Sequence, residues 1–215
     1  LLPPSPGAFG ALAFFRDWRA AIRLVLAADE HRRTGRLAPR CLEYFDRRAL
    51  ELIQPEAGAL RAPAEAEAAI FFEEEVAPDR MLDALERWHE AITAAGGLAD
   101  ATIVARTQAE QAELRKLRHA VPSGMNERGT QAVKQGGRKI GTDFAVPLEH
   151  LVPVMEDAYR IAREQFGGLV VGYGHVGNGH PHYNLLAESP EALARGTVAA
   201  CAMARRAIAA GGTLA

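Results

Sequence analysis

The chain has 215 residues, 48% of them hydrophobic, and a formal net charge of −2. This size and composition are typical of a globular protein with one large core or two small ones. The charge balance argues against a nucleic-acid-binding protein, and no apolar run approaches the roughly 20 residues of a membrane span. Two cysteines, Cys41 and Cys201, are too few for a disulfide framework and indicate a reducing, cytoplasmic location.

The two ends suggest a piece of a longer protein. The chain begins without Met, in a proline-rich stretch over residues 1–6 that resembles a linker and lacks the basic head of a secretory signal. It stops soon after a helix-ending glycine pair, Gly211-Gly212, where another element should begin. We therefore expect residues 1–215 to be an excised domain.

The first half of the chain alternates short apolar runs with amphipathic segments. Strands are predicted at 11–15, 41–45, 65–75 and 101–105. Helices are predicted to start at Asp17, at Asp46 and at Pro78, and to run to about residues 28, 53 and 95. The basic segment 31–36 is interpreted as a solvated loop.

The second half contains more turn signals. A polar helix is predicted from Thr107 to Pro122, since proline removes a helical hydrogen bond, and residues 124–137 are interpreted as loop. One strand is predicted from Arg138 to Val146, and helices are predicted at 148–165 and 190–210. Two further strands enclose a glycine- and histidine-rich loop between residues 172 and 184.

This order favours an α+β fold made of two ferredoxin-like halves, with a mixed or antiparallel sheet and helices packed on one face. The tight returns between strands are the main reason. A doubly wound parallel sheet is the alternative, but no Gly-x-Gly-x-x-Gly loop opens a helix after a strand in this sequence.

Three histidines, His175, His180 and His182, lie within eight residues among glycines. Residues two apart on a strand share a face, so His180 and His182 project together if the strand has begun by His180. A hairpin-like return would bring His175 close to His182, and two neutral imidazoles with a third ligand form an open site for zinc, manganese or iron. The alternative is a loop held together by histidine bonds to backbone carbonyls; we favour the site. Three other histidines, His31, His89 and His150, are interpreted as surface or rim residues. His119 follows Arg118 at a predicted helix end, where the dipole favours positive charge, which is a sufficient explanation unless the site lies nearby.

An anionic substrate requires cations, which the middle of the chain supplies. The candidates are Arg115, Lys116, Arg118, Lys134, Arg138 and Lys139. Most should be solvated. We assign Arg118, just before the Pro122 break, and Lys139, entering an apolar strand, to the site, because arginine binds carboxylate bidentately and lysine adds a point charge.

Several stretches of the sequence also resemble motifs of a known protein family. The stretch Gly174 to Asn184, Gly-His-Val-Gly-Asn-Gly-His-Pro-His-Tyr-Asn, resembles the Gly-His-x-Gly-Asp-Gly-Asn-x-His-x-Asn motif of the FAD-linked oxidase C-terminal domain. That domain occurs in the glycolate oxidase flavin subunit, D-lactate dehydrogenases and D-2-hydroxyglutarate dehydrogenase. Three further stretches agree in order: 42–46 with Leu-Glu-aromatic-x-Asp, Leu117-Arg118 with a Trp-x-x-Arg helix, and 139–147 with Lys-x-x-x-Asp-x-Ala-Val-Pro.

The resemblance implies the substrate (cap) domain of an FAD-dependent 2-hydroxy-acid dehydrogenase, packed against a separate flavin-binding domain of the same polypeptide. The substrate would be glycolate, D-lactate or D-2-hydroxyglutarate, and the flavin would accept a hydride from its α-carbon. The electron acceptor is not indicated. By motif, His175 and His182 would be ligands of Zn or Mn, Arg118 and Lys139 would pair with carboxylate, and Asn184 would orient a ligand or touch the flavin.

The sequence departs from the family pattern in places. Asn178 replaces the loop Asp, His180 replaces an Asn, and Leu114 replaces the helix Trp. His180 is therefore expected to be an additional ligand or a substrate contact. The family's third ligand and base form a Glu-His pair after a Gly-Gly turn, so we expect the catalytic base beyond Ala215, the flavin-binding domain upstream, and no activity from this chain alone.

Two other functions remain open. A metal-dependent hydrolase or nucleotidyl transferase could use the histidine cluster, but no third carboxylate has convincing spacing, Glu188 being the nearest. A non-catalytic ferredoxin-like binding module would be favoured if His175 and His182 lay far apart, or if neither bound metal at stoichiometric occupancy.

Overall fold

The chain divides into two units, Leu1–Arg118 and His119–Ala215, in the computed structural model, which describes residues 7–53 and 61–214. The proline-rich start that we interpreted as a linker lies outside the described residues, as does Ala215. Among the described residues, no helix is long and apolar enough to cross a membrane.

The first unit is a ferredoxin-like fold. Its strands are β1 (Ala8–Phe15), β2 (Pro39–Asp46), β3 (Ala68–Glu75) and β4 (Ile103–Ala105). Its helices are α1 (Trp18–Arg33), α2 (Arg47–Ile53) and α3 (Met81–Ala95), followed by the first part of α4 (Gln108–Val133). The strands lie in the order β4-β1-β3-β2 with antiparallel pairings, as predicted for a ferredoxin-like half.

Helix starts in this unit follow from capping side chains. The Asp17 carboxylate accepts a hydrogen bond from the Arg19 amide at 3.1 Å, and the Asp46 carboxylate accepts one from the Ala49 amide at 2.8 Å, as predicted. The predicted loop at 31–36 is wrong in its first part, because α1 continues to Arg33. Positive charge is favoured at a helix C-terminus, and Arg32 and Arg33 both pair with Asp29.

Both faces of this sheet are covered. On one face Phe72 stacks on Trp88 of α3 with centroids 3.8 Å apart, and the Trp88 indole donates to the buried Glu74 carboxylate at 2.7 Å. On the other face, a Cβ added to Gly10 would lie 3.7 Å from Leu114 of α4. The predicted packing of helices on one face is therefore present, and α4 adds cover to the opposite face.

Helix α4 runs through Pro122, so the predicted stop there is wrong, as is the predicted loop over its last turns. Proline inside a helix costs roughly 3 kcal/mol. Leu114, Leu117, Val121 and Met125 are nevertheless all buried, at intervals of three or four residues. Because each such side chain contributes about 1.5–3 kcal/mol on burial, the continuous apolar stripe outweighs the proline.

The second unit is a variant of the same fold. Its strands are β5 (Arg138–Gly141), β6 (Phe144–Ala145), β7 (Leu169–His175), β8 (His180–Ala187) and β9 (Thr213–Leu214). Its helices after α4 are α5 (Leu151–Ile161), which ends in a π-helical turn, and α6 (Pro190–Ala209). β7, β8 and β5 are antiparallel neighbours in that order, while β9 pairs with β6.

The predicted single strand from Arg138 to Val146 is wrong, because it breaks between β5 and β6. At the break, the Thr142 amide donates to the Tyr183 carbonyl at 2.9 Å, and the Tyr183 amide donates to the Thr142 hydroxyl at 3.0 Å. The first bond continues the ladder of β5 with β8. In the second the Thr142 hydroxyl replaces its backbone carbonyl, so the regular pairing ends here and the chain then pairs with β9. Asp143 is left exposed at the break.

The two free cysteines should react very differently with iodoacetamide. Burial and the nearby Glu73 and Glu43 carboxylates raise the pKa of Cys41 to about 11, whereas Cys201 is exposed on α6. Since the thiolate is the nucleophile, about one Cys41 in a thousand is reactive at pH 8. We expect peptide mapping by mass spectrometry to find Cys201 labelled first, with Cys41 labelling rising as the pH approaches 11. Equal rates at pH 8 in the folded chain would contradict this; urea-unfolded protein is the control.

Candidate functional site

The hairpin of β7 and β8 gathers the three histidines at its closed end. His175 lies opposite His180, and Tyr173 lies opposite His182, in antiparallel register. Directly opposed residues share a face of the sheet, and so do residues two apart. The ring centroids of His180 and His182 are 4.5 Å apart, and His175 lies 5.4 Å from His182 and 5.8 Å from His180. The predicted closeness of the rings is confirmed.

Glycines make this close arrangement possible. The strands reach further into the motif than predicted, leaving a short turn over Val176–Asn178 and Gly179. Gly179 is left-handed with φ of +73°, and a Cβ there would lie 1.9 Å from the Val146 carbonyl oxygen. Gly174 has φ of +130°, and a Cβ there would lie 2.7 Å from Cδ2 of His182. Side chains at either position would displace the histidines.

Asp143, at the break between β5 and β6, is the fourth member of the cluster. Its Oδ1 lies 2.5 Å from Nε2 of His180 and 3.8 Å from Nδ1 of His182. The candidate ligand atoms of Asp143, His180 and His182 all lie within 4.8 Å of one another, a group that does not include His175. We did not predict a role for Asp143. Its signal was the Asp of the Lys-x-x-x-Asp-x-Ala-Val-Pro stretch, which we interpreted as an unbroken strand.

The chemistry of these donors fits a divalent cation. Burial is the main cause that holds the pKa of His182 below its ordinary value, and the neighbouring His180 lowers it further. A neutral imidazole is the form that ligates metal, and two imidazole nitrogens with one carboxylate oxygen suit zinc, manganese or iron. The alternative of histidines that only brace the loop predicts bonds to backbone carbonyls. The contact of His182 Nδ1 with the Thr142 carbonyl oxygen is long, at 3.4 Å.

Asn184 lies deeper in the same hairpin and holds a tyrosine. It is 3% exposed, and its amide donates to the Tyr173 hydroxyl at 2.8 Å. The Tyr173 ring lies 5.6 Å from the His182 ring, and burial raises the pKa of its hydroxyl. Sequence reasoning missed Tyr173, although its place two residues before His175 on a strand puts it on the histidine face. The predicted contact of Asn184 with a ligand or flavin stays a prediction.

The two predicted substrate cations both have partners within their own units. Lys139 of β5 lies on the same face of the sheet as Asn184. Gly141 is directly opposite Asn184 in the antiparallel pair, and Lys139, two residues before Gly141, points to the same face. Its ammonium donates to the Asn126 side chain at 2.6 Å. In the first unit, the Arg118 guanidinium pairs with the buried Glu43 carboxylate at 2.7 Å. Their pairing with a substrate carboxylate stays a prediction.

The remaining basic residues mostly lie where the sequence suggested. Arg115 and Lys116 form ion pairs with Glu73 and Glu113, each at 2.6 Å. Lys134 and Arg138 are exposed, as are His89, His119 and His150. His31 differs, because it lies half-buried in the last turn of α1 instead of in a loop.

Fold and site together define an α+β domain of two ferredoxin-like units, one of which carries a histidine hairpin suited to a divalent cation. The chain belongs to the family of FAD linked oxidases, C-terminal domain, whose family model matches residues 10–215. This confirms the resemblance seen in the sequence, and the family implies FAD and oxidoreductase chemistry. The mitochondrial D-2-hydroxyglutarate dehydrogenase of Danio rerio is 34% identical over 70 residues, which are 31% of this chain and 12% of that protein.

Solved structures share the fold at low identity. A 4-ethylphenol oxidase from Gulosibacter chungangensis, in complex with isoeugenol, is similar with a TM-score of 0.65 and 11% sequence identity. p-Cresol methylhydroxylase with substrate bound is similar with a TM-score of 0.66 and 12% sequence identity. Each match covers 100% of this chain and 46% of the other. An alkyldihydroxyacetonephosphate synthase has a TM-score of 0.63 and 11% sequence identity, and the match covers 99% of this chain and 41% of that enzyme. The chain therefore spans less than half of each of these enzymes.

Proposed function

We propose that this chain is the substrate-binding (cap) domain, over residues 1–215, of an FAD-dependent 2-hydroxy-acid dehydrogenase of the glycolate, D-lactate or D-2-hydroxyglutarate class. Family membership supports the flavin and the oxidoreductase chemistry. The local identity with a D-2-hydroxyglutarate dehydrogenase favours a 2-hydroxy acid. The observation that carries the proposal is the cluster of Asp143, His180 and His182, since neighbouring hydroxyl and carboxylate oxygens are good ligands for a cation held there.

The cation-binding residues are a revision of the pair implied by the sequence. Asp143, His180 and His182 would hold Zn or Mn, and His175, whose ring lies 5.4 Å from that of His182, is the next candidate. A bound cation would orient the substrate's hydroxyl and carboxylate oxygens and favour loss of the hydroxyl proton. His180 would thus take the expected role of an additional ligand, at the position where the family has Asn.

The chain's other residues would bind and orient the substrate. Lys139 lies on the sheet face that carries the histidines, where its ammonium can neutralise a carboxylate, and Asn126 fixes its position through a 2.6 Å bond. Tyr173 presents a hydroxyl beside His182, and Asn184 orients that hydroxyl. We keep Arg118 as a second carboxylate partner, with its guanidinium held by Glu43.

Most of the redox machinery is assigned outside this chain. The family implies FAD, which we propose is bound mainly by a separate domain of the same polypeptide and which supplies the hydride acceptor. The Asn184 amide does not fit a direct flavin contact as it stands, since it is buried and bonded to Tyr173. From the resemblance we propose that the base also lies outside residues 1–215 and that the isolated chain is inactive. We also propose that the protein is cytoplasmic, with peripheral attachment at the inner membrane surface as the alternative, in keeping with its free thiols.

Anaerobic flavin reduction by the full-length protein tests this function. We expect glycolate, D-lactate or D-2-hydroxyglutarate to bleach the flavin absorbance, and p-cresol to leave it unchanged. Lys139→Met should raise KM for the acid at least about tenfold, a loss of about 1.4 kcal/mol, with flavin content unchanged. Lys134→Met, at an exposed site, is the matched control. Bleaching by p-cresol and by none of the three acids would refute the proposal.

The structure changes the arguments about the two alternative functions, a metal-dependent hydrolase or nucleotidyl transferase and a non-catalytic binding module. Asp143 supplies the carboxylate whose absence counted against a metal-dependent hydrolase or nucleotidyl transferase, so that objection no longer holds. Membership in a family of oxidoreductases now argues against it instead. A non-catalytic module would be favoured by distant histidines or by the lack of stoichiometric metal binding. The rings of His175 and His182 are 5.4 Å apart, so the first condition is not met, and the metal titration described below tests the second.

A further inference from the structure

A second concave site lies in the first unit, between helix α3 and the segment that contains β4. We call it the α3–β4 groove; its volume is about 330 Å³. Phe72 and Trp88, stacked on one another and buried, form its floor with Ile92. Leu82 of α3 stands at its rim and is 69% exposed, which is unusual for so large an apolar side chain. Pockets for small ligands start at about 300 Å³ and are mainly apolar, as this one is.

A few polar groups converge on this apolar floor. Arg106, His89 and Glu86 line the groove and are exposed. Within the described residues, the Arg106 guanidinium has neither an ion pair nor a hydrogen bond, although most arginines of this chain are paired. Thr102 also lines the groove, and its buried hydroxyl lacks a hydrogen-bond partner in the same part of the chain. An unsatisfied buried hydroxyl costs about 1–3 kcal/mol, and this one is nearly inaccessible, so a ligand could bond to it only if the groove wall shifted.

We propose that the α3–β4 groove binds a small amphipathic carboxylic acid, with its apolar body on the Phe72–Trp88 floor and its carboxylate at Arg106. The Arg106 guanidinium makes no ion pair or hydrogen bond within the described residues and can therefore receive an anionic head. The nearby Glu110 carboxylate is already bonded to the backbone amides of Arg106 and Thr107 and acts on the guanidinium only at longer range. Glu86, the one carboxylate in the groove lining, is offset by Arg106, with His89 as a further donor. The apolar floor selects a hydrocarbon or aryl body, which short 2-hydroxy acids lack. This ligand class therefore differs from the substrate proposed for the histidine hairpin, and the two proposals stand or fall separately.

Fluorescence can report on the groove directly. The chain has two tryptophans, so Trp18→Phe leaves Trp88 of the groove floor as the sole reporter. Titration of this variant with octanoate should give a saturable change in emission. In the Trp18→Phe background, Arg106→Gln should weaken octanoate binding about fivefold or more, since a charge-assisted bond is lost. It should leave octan-1-ol binding unchanged. Arg128→Gln, at another exposed arginine, is the matched control and should change neither.

A second variant separates the apolar contribution from the charge. Leu82→Asp replaces an exposed side chain and should not disturb folding, which circular dichroism checks, yet it should weaken octanoate and octan-1-ol alike. Three results would overturn the proposal. One is the absence of saturable binding; another is equal weakening of acid and alcohol by Arg106→Gln. The third is a dimer, seen by sedimentation, that Leu82→Asp dissociates, because the groove would then be covered by a second copy.

Discussion

Asp143→Asn is expected to lower the affinity of this chain for Zn²⁺ by about 100-fold or more. The substitution keeps the size of the side chain but removes the anionic oxygen that lies 2.5 Å from His180 and 3.8 Å from His182. Loss of a group that merely orients a ligand typically costs 10–100-fold, and loss of a ligand should cost at least as much. His180→Asn, which installs the residue typical of the family, should also weaken binding. Titration calorimetry or competition with a chromophoric chelator measures the affinity.

Two further variants make this test discriminating. His175→Ala should reduce the affinity by less than about tenfold if Asp143, His180 and His182 are the ligands. If His175 and His182 form the site, as the sequence pattern implied, His175→Ala should abolish binding and Asp143→Asn should change it little. His89→Ala, at an exposed histidine on α3, controls for loss of an imidazole elsewhere.

Gly179→Ala is expected to lower the free energy of unfolding by about 3 kcal/mol. An alanine in the left-handed region costs about 1–2 kcal/mol. Its Cβ would lie 1.9 Å from the Val146 carbonyl oxygen, so the turn must also move and strain the 2.9 Å bond from the Val146 amide to the Gly179 carbonyl, worth about 1 kcal/mol. Urea denaturation measures the loss. Zn²⁺ affinity should fall as well, because the turn positions His180.

Gly167→Ala provides a matched comparison within the same unit. Gly167 has φ of +72°, almost the same as Gly179, but nothing lies within 4 Å of its added Cβ. The free energy of unfolding of Gly167→Ala should therefore fall only by the conformational part, about 1–2 kcal/mol, and the variant should keep full Zn²⁺ affinity. Equal losses for the two variants would show that the turn relaxes without cost and that the close approach to Val146 does not fix the site.

Much of the fold could be predicted because its signals are local. Apolar periods of two and of 3.6 residues identified the strands and helices, and Asp17 and Asp46 marked two helix starts with their own side chains. The errors arose where distant packing overrides a local rule. Pro122 is a strong stop signal, but the buried stripe of α4 continues past it. The break after Gly141 has no proline to mark it, because it depends on hydrogen bonds between Thr142 and Tyr183.

The candidate site was predictable to the extent that it is contiguous in sequence. Three histidines in eight residues identify themselves by composition, and strand geometry then places them on one face. Asp143 is 37 residues away from His180, so no spacing rule connects them. The partners that hold the predicted cations, Glu43 for Arg118 and Asn126 for Lys139, are likewise fixed by tertiary packing. A sequence pattern can therefore propose basic side chains for a substrate site without showing which residues orient them.

The break between β5 and β6 has a consequence for the stability of the second unit. A cation shared by Asp143 and the hairpin histidines would act as a removable cross-link between segments 37 residues apart, closing a loop that contains α5 and β7. A cation that binds only the folded form stabilises it by about 2.7 kcal/mol when the free cation exceeds its Kd 100-fold. The melting temperature of this unit would then follow metal supply, and loss of the cation would loosen the strand ends at which we propose that substrate binds.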